Sequence, residues 1–163
     1  MKKLYIYKGL EHKDNEYKWL TKAVENLYDI EFKRYNLLRD SFEDLIKEDL
    51  EENSVVFGFS IGALIAYKLK TQISLGLYCS PTPILDGSNS QKKDIIEKSI
   101  GIENSNYIQS LKYSSPNAKK FYIFYGDQEQ WHDIEKFHPQ YIKDSGHELT
   151  ENYKNKIVEI LTL

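Results

Sequence analysis

Val55-Val56-Phe57-Gly58-Phe59-Ser60-Ile61-Gly62-Ala63-Leu64-Ile65-Ala66-Tyr67-Lys68-Leu69 is the stretch that decides the fold. Ser54 to Phe57 reads as a buried strand, and Ala63 to Leu69 reads as a helix. Between them stands Gly58-Phe59-Ser60-Ile61-Gly62, a G-x-S-x-G pentapeptide at a strand-to-helix junction. Such a turn is so tight that the serine takes a strained backbone conformation and its hydroxyl is pushed clear of the sheet. Glycines on either side have no Cβ, so strand and helix can approach closely. The helix that follows aims its free N–H groups at negative charge developing on an atom bonded to that serine. Ser60 is therefore the candidate nucleophile.

Working outward from this junction, strands and helices alternate. Lys3 to Lys8 predicts a first strand closed by Gly9, and Trp19, Leu20, Ala23, Val24 and Leu27 recur at helical spacing, with Asp14 or Asn15 as the expected cap. Tyr28 to Lys33 alternates in the manner of a half-exposed edge strand. Ser41-Phe42-Glu43-Asp44 resembles a capping box, opening a helix with Phe42, Leu45, Ile46 and Leu50 as its buried stripe. After the elbow come strands at Ile73–Cys79, Lys120–Tyr125 and Gln140–Lys143, then a helix capped by Thr150. In 84–119, Ile95, Ile96, Ile100, Ile108 and Leu111 predict two short helices joined at Gly101, one a crossover and the other a candidate lid. Alternation of this kind argues for one α/β domain over 1–163, with a mostly parallel sheet of about six strands covered on both faces.

Composition narrows the function classes. The chain has 163 residues, 40% hydrophobic and 29% charged, as expected of a globular domain with a real core. A net charge of −3 gives no general attraction to nucleic acid or to an anionic membrane. The apolar run Leu4 to Tyr7 stops at Lys8, too short for a signal-peptide core, and no stretch reaches membrane-spanning length. The single cysteine, Cys79, excludes an internal disulfide and suits a reducing cytoplasm, the expected location. It lies at a strand end with no local base and reads as a small core residue. No metal-ligand spacing occurs around residues 129–138, so neither metal nor cofactor is expected.

The strand, elbow, acid-bearing loop and late histidine together resemble the α/β-hydrolase superfamily. The resemblance implies a reduced member that begins at the family's third strand, a three-layer sandwich with strands in the order 2-1-3-4-5-6. Ligands in open α/β sheets bind where the strand order reverses, which here brings the loop after strand 1 beside Ser60. The resemblance also assigns roles. A general base is needed because an alkoxide does not form unaided at neutral pH. His147, in Asp144-Ser145-Gly146-His147-Glu148-Leu149 after the last strand, takes that role, while His12, His132 and His138 read as surface residues. The acid follows Tyr125-Gly126. Glu129, three residues after the glycine, is favoured on reach, with Asp127 as the alternative and otherwise a turn-stabilising residue. Ile61 N–H and Leu10 N–H are the expected oxyanion donors, with Glu11 in reserve and Lys8 where the family often has histidine.

The expected activity is a serine hydrolase, carboxylesterase- or thioesterase-like, cleaving a small acyl ester or thioester through an acyl-enzyme. Two alternatives share the fold: a catalytically inactive binding or regulatory protein, and an acyltransferase using the same nucleophile. Lys92, Lys93, Lys98, Lys112, Lys119 and Lys120 form either a solvated helix face or a basic rim that steers an acidic substrate or an acyl carrier.

Overall fold

The computed structural model describes all 163 residues. Its frame is one six-stranded sheet in the order β2-β1-β3-β4-β5-β6, with every pairing parallel. The strands are β1 (Lys2–Tyr7), β2 (Tyr28–Phe32), β3 (Val55–Phe59), β4 (Ile73–Cys79), β5 (Ala118–Gly126) and β6 (Gln140–Ile142). The helices are α1 (Lys18–Val24), α2 (Phe42–Ile46), α3 (Ile61–Lys68), α4 (Lys93–Ile100), α5 (Ile102–Ser110) and α6 (Glu151–Thr162).

Two cores lie on opposite faces of this sheet, as the two-residue period of a strand requires. Along β1, Leu4 and Ile6 join one core while Tyr5 and Tyr7 join the other. Along β3, Val55, Phe57 and Phe59 face α1 and α6, and Val56 faces α3. Residues buried on both faces produce the continuous apolar run of β3, whose five positions are all buried. Every residue of α3 is likewise buried, because α3 packs against the sheet in one core with side chains of α2, α4 and α5. The result is a three-layer α/β/α sandwich.

Several local expectations are revised. Neither Asp14 nor Asn15 caps α1. A 3₁₀ turn at Asp14–Tyr17 precedes that helix, and the Lys13 N–H donates to the Glu16 carboxylate at 2.6 Å. Asp14 instead receives hydrogen bonds from Lys8, at 2.6 Å, and Arg34. The Lys8 ammonium is the first cause of its carboxyl sitting below the usual range. Leu27 and Ile95 are exposed, while Ile96, Ile100 and Ile108 of 84–119 enter the core on the α3 face. Gly101 joins α4 to α5 at φ 83°, a conformation that disfavours any side chain. The caps at Ser41 and Thr150 form, accepting from the N–H groups of Asp44 and Tyr153, both at 3.4 Å. No helix is long and apolar enough to cross a membrane.

The six lysines singled out in the sequence do not make one patch. Lys119 and Lys120 sit at the start of β5, where Lys120 pairs in register with Leu75, at the opposite end of the strand from Gly126. Lys93 pairs with Glu97 and Lys112 with Asp86, Lys98 lies in the last turn of α4, and Lys92 stands above Trp131.

Candidate active site

Ser60 adopts φ 57° and ψ −124°, a region that non-glycine residues rarely occupy. The surrounding backbone holds it there. Its N–H donates to the Cys79 carbonyl at 2.9 Å, and its carbonyl accepts from Leu64 N–H at 3.2 Å and Thr82 N–H at 3.3 Å. The two flanking glycines are required by contact. A Cβ on Gly58 would lie 2.6 Å from Ala63 Cα, and one on Gly62 would lie 2.3 Å from the carbonyl oxygens of Tyr7 and Lys8. Gly62 therefore lets α3 rest directly on the end of β1, which brings the loop after β1 to the elbow.

Three loops from distant parts of the chain converge at this point. The Ser60 hydroxyl lies 2.9 Å from His147 Nε2, and His147 Nδ1 lies 2.9 Å from Glu129 Oε2. With Nδ1–H donating to the carboxylate, Nε2 accepts from the serine hydroxyl. Burial falls along the row: the Glu129 side chain is 0% exposed and the His147 side chain 37%. Phe59 and Trp131 flank the imidazole, with ring centroids 5.3 and 6.0 Å away.

Glu129 is buried but not unsatisfied. Its second oxygen, Oε1, accepts from the Gly126 N–H at 2.8 Å and from the Ser80 hydroxyl. The Tyr153 hydroxyl stands 2.7 Å from Ser80 Oγ and 3.4 Å from Oε1. Neutral groups pack around this one charge. Burial, then the Glu129 charge, pushes the Cys79 thiol and the Tyr125 phenol up, and burial first of all does the same to Tyr153. Cys79 is thus a protonated core residue beside the site.

Asp127 does different work. Its carboxylate accepts from Ser145 N–H at 3.2 Å, its own N–H donates to Ile142 at 3.0 Å, and Gln128 N–H donates to Ser145 at 2.9 Å. These bonds stitch the turn after β5 to the loop that carries His147. A Cβ on Gly126 would meet the Ser145 carbonyl at 2.1 Å, so that glycine sets how closely the two loops approach.

The remaining candidates fall around this row. Ile61 is the first residue of α3, so its N–H has no intrahelical acceptor. Gly9 packs on Phe59, next to Ser60, and Leu10 follows it, partly exposed. Glu11 has φ 63° and is exposed. Lys8 is turned to Asp14. His12, expected on the surface, is half-buried: it stacks on Phe59 with centroids 5.3 Å apart, and its Nδ1 lies 2.9 Å from the Tyr17 hydroxyl, to which Gly9 N–H donates at 3.1 Å. The His132 backbone is held by the Asn89 amide, and His138 ends a 3₁₀ turn at φ 49°. No three His, Cys, Asp or Glu side chains converge in a metal-binding arrangement. Ser80 and Tyr153 were not anticipated as partners of Glu129. Ser80 carried a faint signal, as the first residue past β4 beside the strand that leads to the acid.

No protein-family model matches the sequence, and no curated protein matches it. Solved structures do. The type II thioesterase BorB from the borrelidin biosynthetic cluster is 12% identical, with a TM-score of 0.64 over 98% of this chain and 89% of its own. Naproxen esterase from Bacillus subtilis is 12% identical, with a TM-score of 0.63 over 99% of this chain and 82% of its own. The Pyrococcus furiosus esterase Pf2001 is 16% identical, with a TM-score of 0.61 over 99% and 82%. At these identities the likeness is one of architecture. Together with the strand order and the turn at Ser60, it identifies the chain's fold as an α/β-hydrolase fold in a reduced, six-stranded form.

Proposed function

We propose that this protein is a serine hydrolase that cleaves a carboxylic ester or thioester through an acyl-enzyme. One observation carries the reading: Ser60 Oγ, His147 and Glu129 form a continuous row, with 2.9 Å at each step. A hydroxyl, an imidazole and a buried carboxylate in that order are a nucleophile, a general base and the group that fixes the base's tautomer. Solved neighbours of the fold include esterases and a thioesterase, which supports the same reaction class.

In this reading, His147 Nε2 takes the hydroxyl proton as Ser60 Oγ bonds to the substrate carbonyl carbon. The carbonyl electron pair moves to oxygen, which the N–H groups of Ile61 and Leu10 receive. The Glu129 carboxylate stabilises the imidazolium without taking its proton. Collapse of the intermediate expels the alcohol or thiol, which leaves with the bonding pair and the proton from Nε2. Water then gives a proton to Nε2 as its oxygen bonds to the acyl carbon, and the bond to Oγ breaks as Nε2 returns the proton to Ser60, releasing the acid.

The test is a panel of acetyl, butyryl and octanoyl esters and thioesters, followed by mass measurement of the quenched enzyme. The expected result is turnover with an added acyl mass on the peptide containing Ser60, both lost in Ser60→Ala. A folded wild-type protein that turns over none of the panel and gains no mass would overturn the reading.

A further inference from the structure

We propose that the cleft on the Phe59 side of His147 is the leaving-group subsite, and that it takes a neutral, ring-sized apolar alcohol or thiol. The inference rests on the hydrolase reading above, because that chemistry fixes where a leaving group must stand. His147 Nε2 hands its proton to the departing heteroatom, which therefore sits within about 3 Å of that nitrogen. The body of the leaving group then extends along one flank of the imidazole.

The two flanks differ. On one, Trp131 stands edge-on to His147, and the Lys92 ammonium lies 4.1 Å from the centre of its ring, already occupying that face. On the other lies a cleft of about 250 Å³ lined by His12, Tyr17, Trp19, Phe59, His147 and Leu149. His12, Phe59 and His147 form a row of rings along it, with successive centroids 5.3 Å apart. A cavity of roughly 150 Å³ is enough to bind benzene, so this cleft holds one ring with its linker. Aromatic walls favour such an occupant through offset and edge-on contacts. Trp19, on the cleft wall, also carries a buried indole N–H with no acceptor in the protein.

Charge at the rim sets the other half of the preference. Glu16 and Glu148 both line the cleft, and the one lining lysine, Lys154, is engaged by Glu151 at 2.7 Å. An anionic leaving group, such as a phosphate-bearing arm, meets net negative charge there. A neutral group does not. This choice separates a small-ester substrate from one presented on a phosphorylated carrier.

Two measurements test the subsite. The first compares benzyl acetate, ethyl acetate and 2-phosphoethyl acetate, which deliver the same acetyl group from alcohols. A benzyl-to-ethyl ratio of kcat/KM above about 30 is expected, with the phosphoethyl ester poorest. That ratio should fall toward unity in Trp19→Ala and in Leu149→Trp, which opens and fills the cleft respectively. Taking the ratio within each variant removes any general damage to His147. Deacylation, measured on the common acetyl-enzyme, should be the same whichever ester delivered the acetyl group. A wild-type ratio near unity, or a preference for the anionic ester, overturns the subsite while leaving hydrolysis intact.

The second measurement needs no turnover. The chain has two tryptophans, Trp19 and Trp131, hence two indole N–H signals. Benzyl alcohol titrated into Ser60→Ala should shift the Trp19 signal and spare that of Trp131. The reverse pattern overturns the assignment even if the enzyme proves to be an esterase.

Discussion

The turn after β3 and the turn after β5 both deliver one side chain to the same point, by opposite physical means. At the β3 turn, Ser60 is positioned by exclusion. Gly58 and Gly62 leave no room between strand and helix, and the backbone of Ser60 is pinned by Cys79, Leu64 and Thr82. At the β5 turn, Glu129 is positioned by satisfaction. A buried carboxylate must have donors, and Gly126, Ser80 and Tyr153 supply them. Crowding is local and stiff. A hydrogen-bond shell is distributed, and it is only as good as its members. On the proposed reading, the site therefore depends on packing for its nucleophile and on polar contacts for its acid.

That difference can be broken from either side. The largest effect is expected at Glu129. Glu129→Gln keeps the shape but removes the charge that favours the imidazolium, and kcat should fall by about 10³–10⁴ with folding nearly intact. Asp127→Asn, two residues away, should cost about 1 kcal/mol of stability through the Ser145 bond and less than tenfold in kcat. Equal losses in kcat for the two variants would contradict the separate roles given to these carboxylates.

Gly62→Ala tests exclusion. The added methyl meets backbone carbonyls of Tyr7 and Lys8, which cannot rotate away. A loss of about 1–3 kcal/mol in urea unfolding is expected, together with a displaced Ser60 and reduced activity. Retention of full stability would mean that the approach of α3 to β1 is looser than described.

Alkaline pH tests the polar shell. Burial raises the phenols of Tyr125 and Tyr153 and the Cys79 thiol, so these groups keep their protons in the folded chain. Below about pH 7.5 both states are protonated and the stabilisation is complete. Above the ordinary thiol and phenol ranges the unfolded chain loses protons that the folded chain retains, so stability falls as pH rises. Each such group adds a slope of about 1.4 kcal/mol per pH unit. Denaturant midpoints from pH 8 to 11 should drop with steepening slope above pH 10, and a flat profile would contradict the burial of these groups.

The smallest effects should come from trimming the shell itself. Tyr153→Phe and Ser80→Ala each remove one hydroxyl near Oε1, with an expected loss of about tenfold in kcat and little change in KM. The double variant should lose less than the product of the two, because Tyr153 acts partly through Ser80. Strict multiplication would show that the two hydroxyls act independently.

The same contrast explains what could be read from the sequence. The elbow is contiguous, and crowding demands glycine at fixed offsets, so Ser60 and its strand and helix were visible as a motif. The strands followed from apolar runs and alternation, their parallel pairing from the alternation of strand with helix, and their order from a family resemblance. Helix edges were less legible. Asp14 looked like a cap, yet two cations draw it away. The choice of Glu129 over Asp127 rested on reach from Gly126, and the structure puts the Glu129 carboxylate on His147 and the Asp127 carboxylate on Ser145 N–H. Tyr153 and His12 carry no local pattern, and Ser80 has only its place at the end of β4. Their contacts exist only once β4, α6 and the loop after β1 are brought together, which no window of sequence records.

The most direct test of the central claim is labelling with a fluorophosphonate probe, which reports an activated serine without reference to substrate. Wild type, Ser60→Ala, His147→Ala and Glu129→Gln should be compared at matched folding, judged by circular dichroism. The account predicts rapid labelling of wild type on Ser60, none in Ser60→Ala, and rates cut by several orders of magnitude in the other two. A folded wild-type protein that does not label, or one that labels at the same rate without His147, would contradict it.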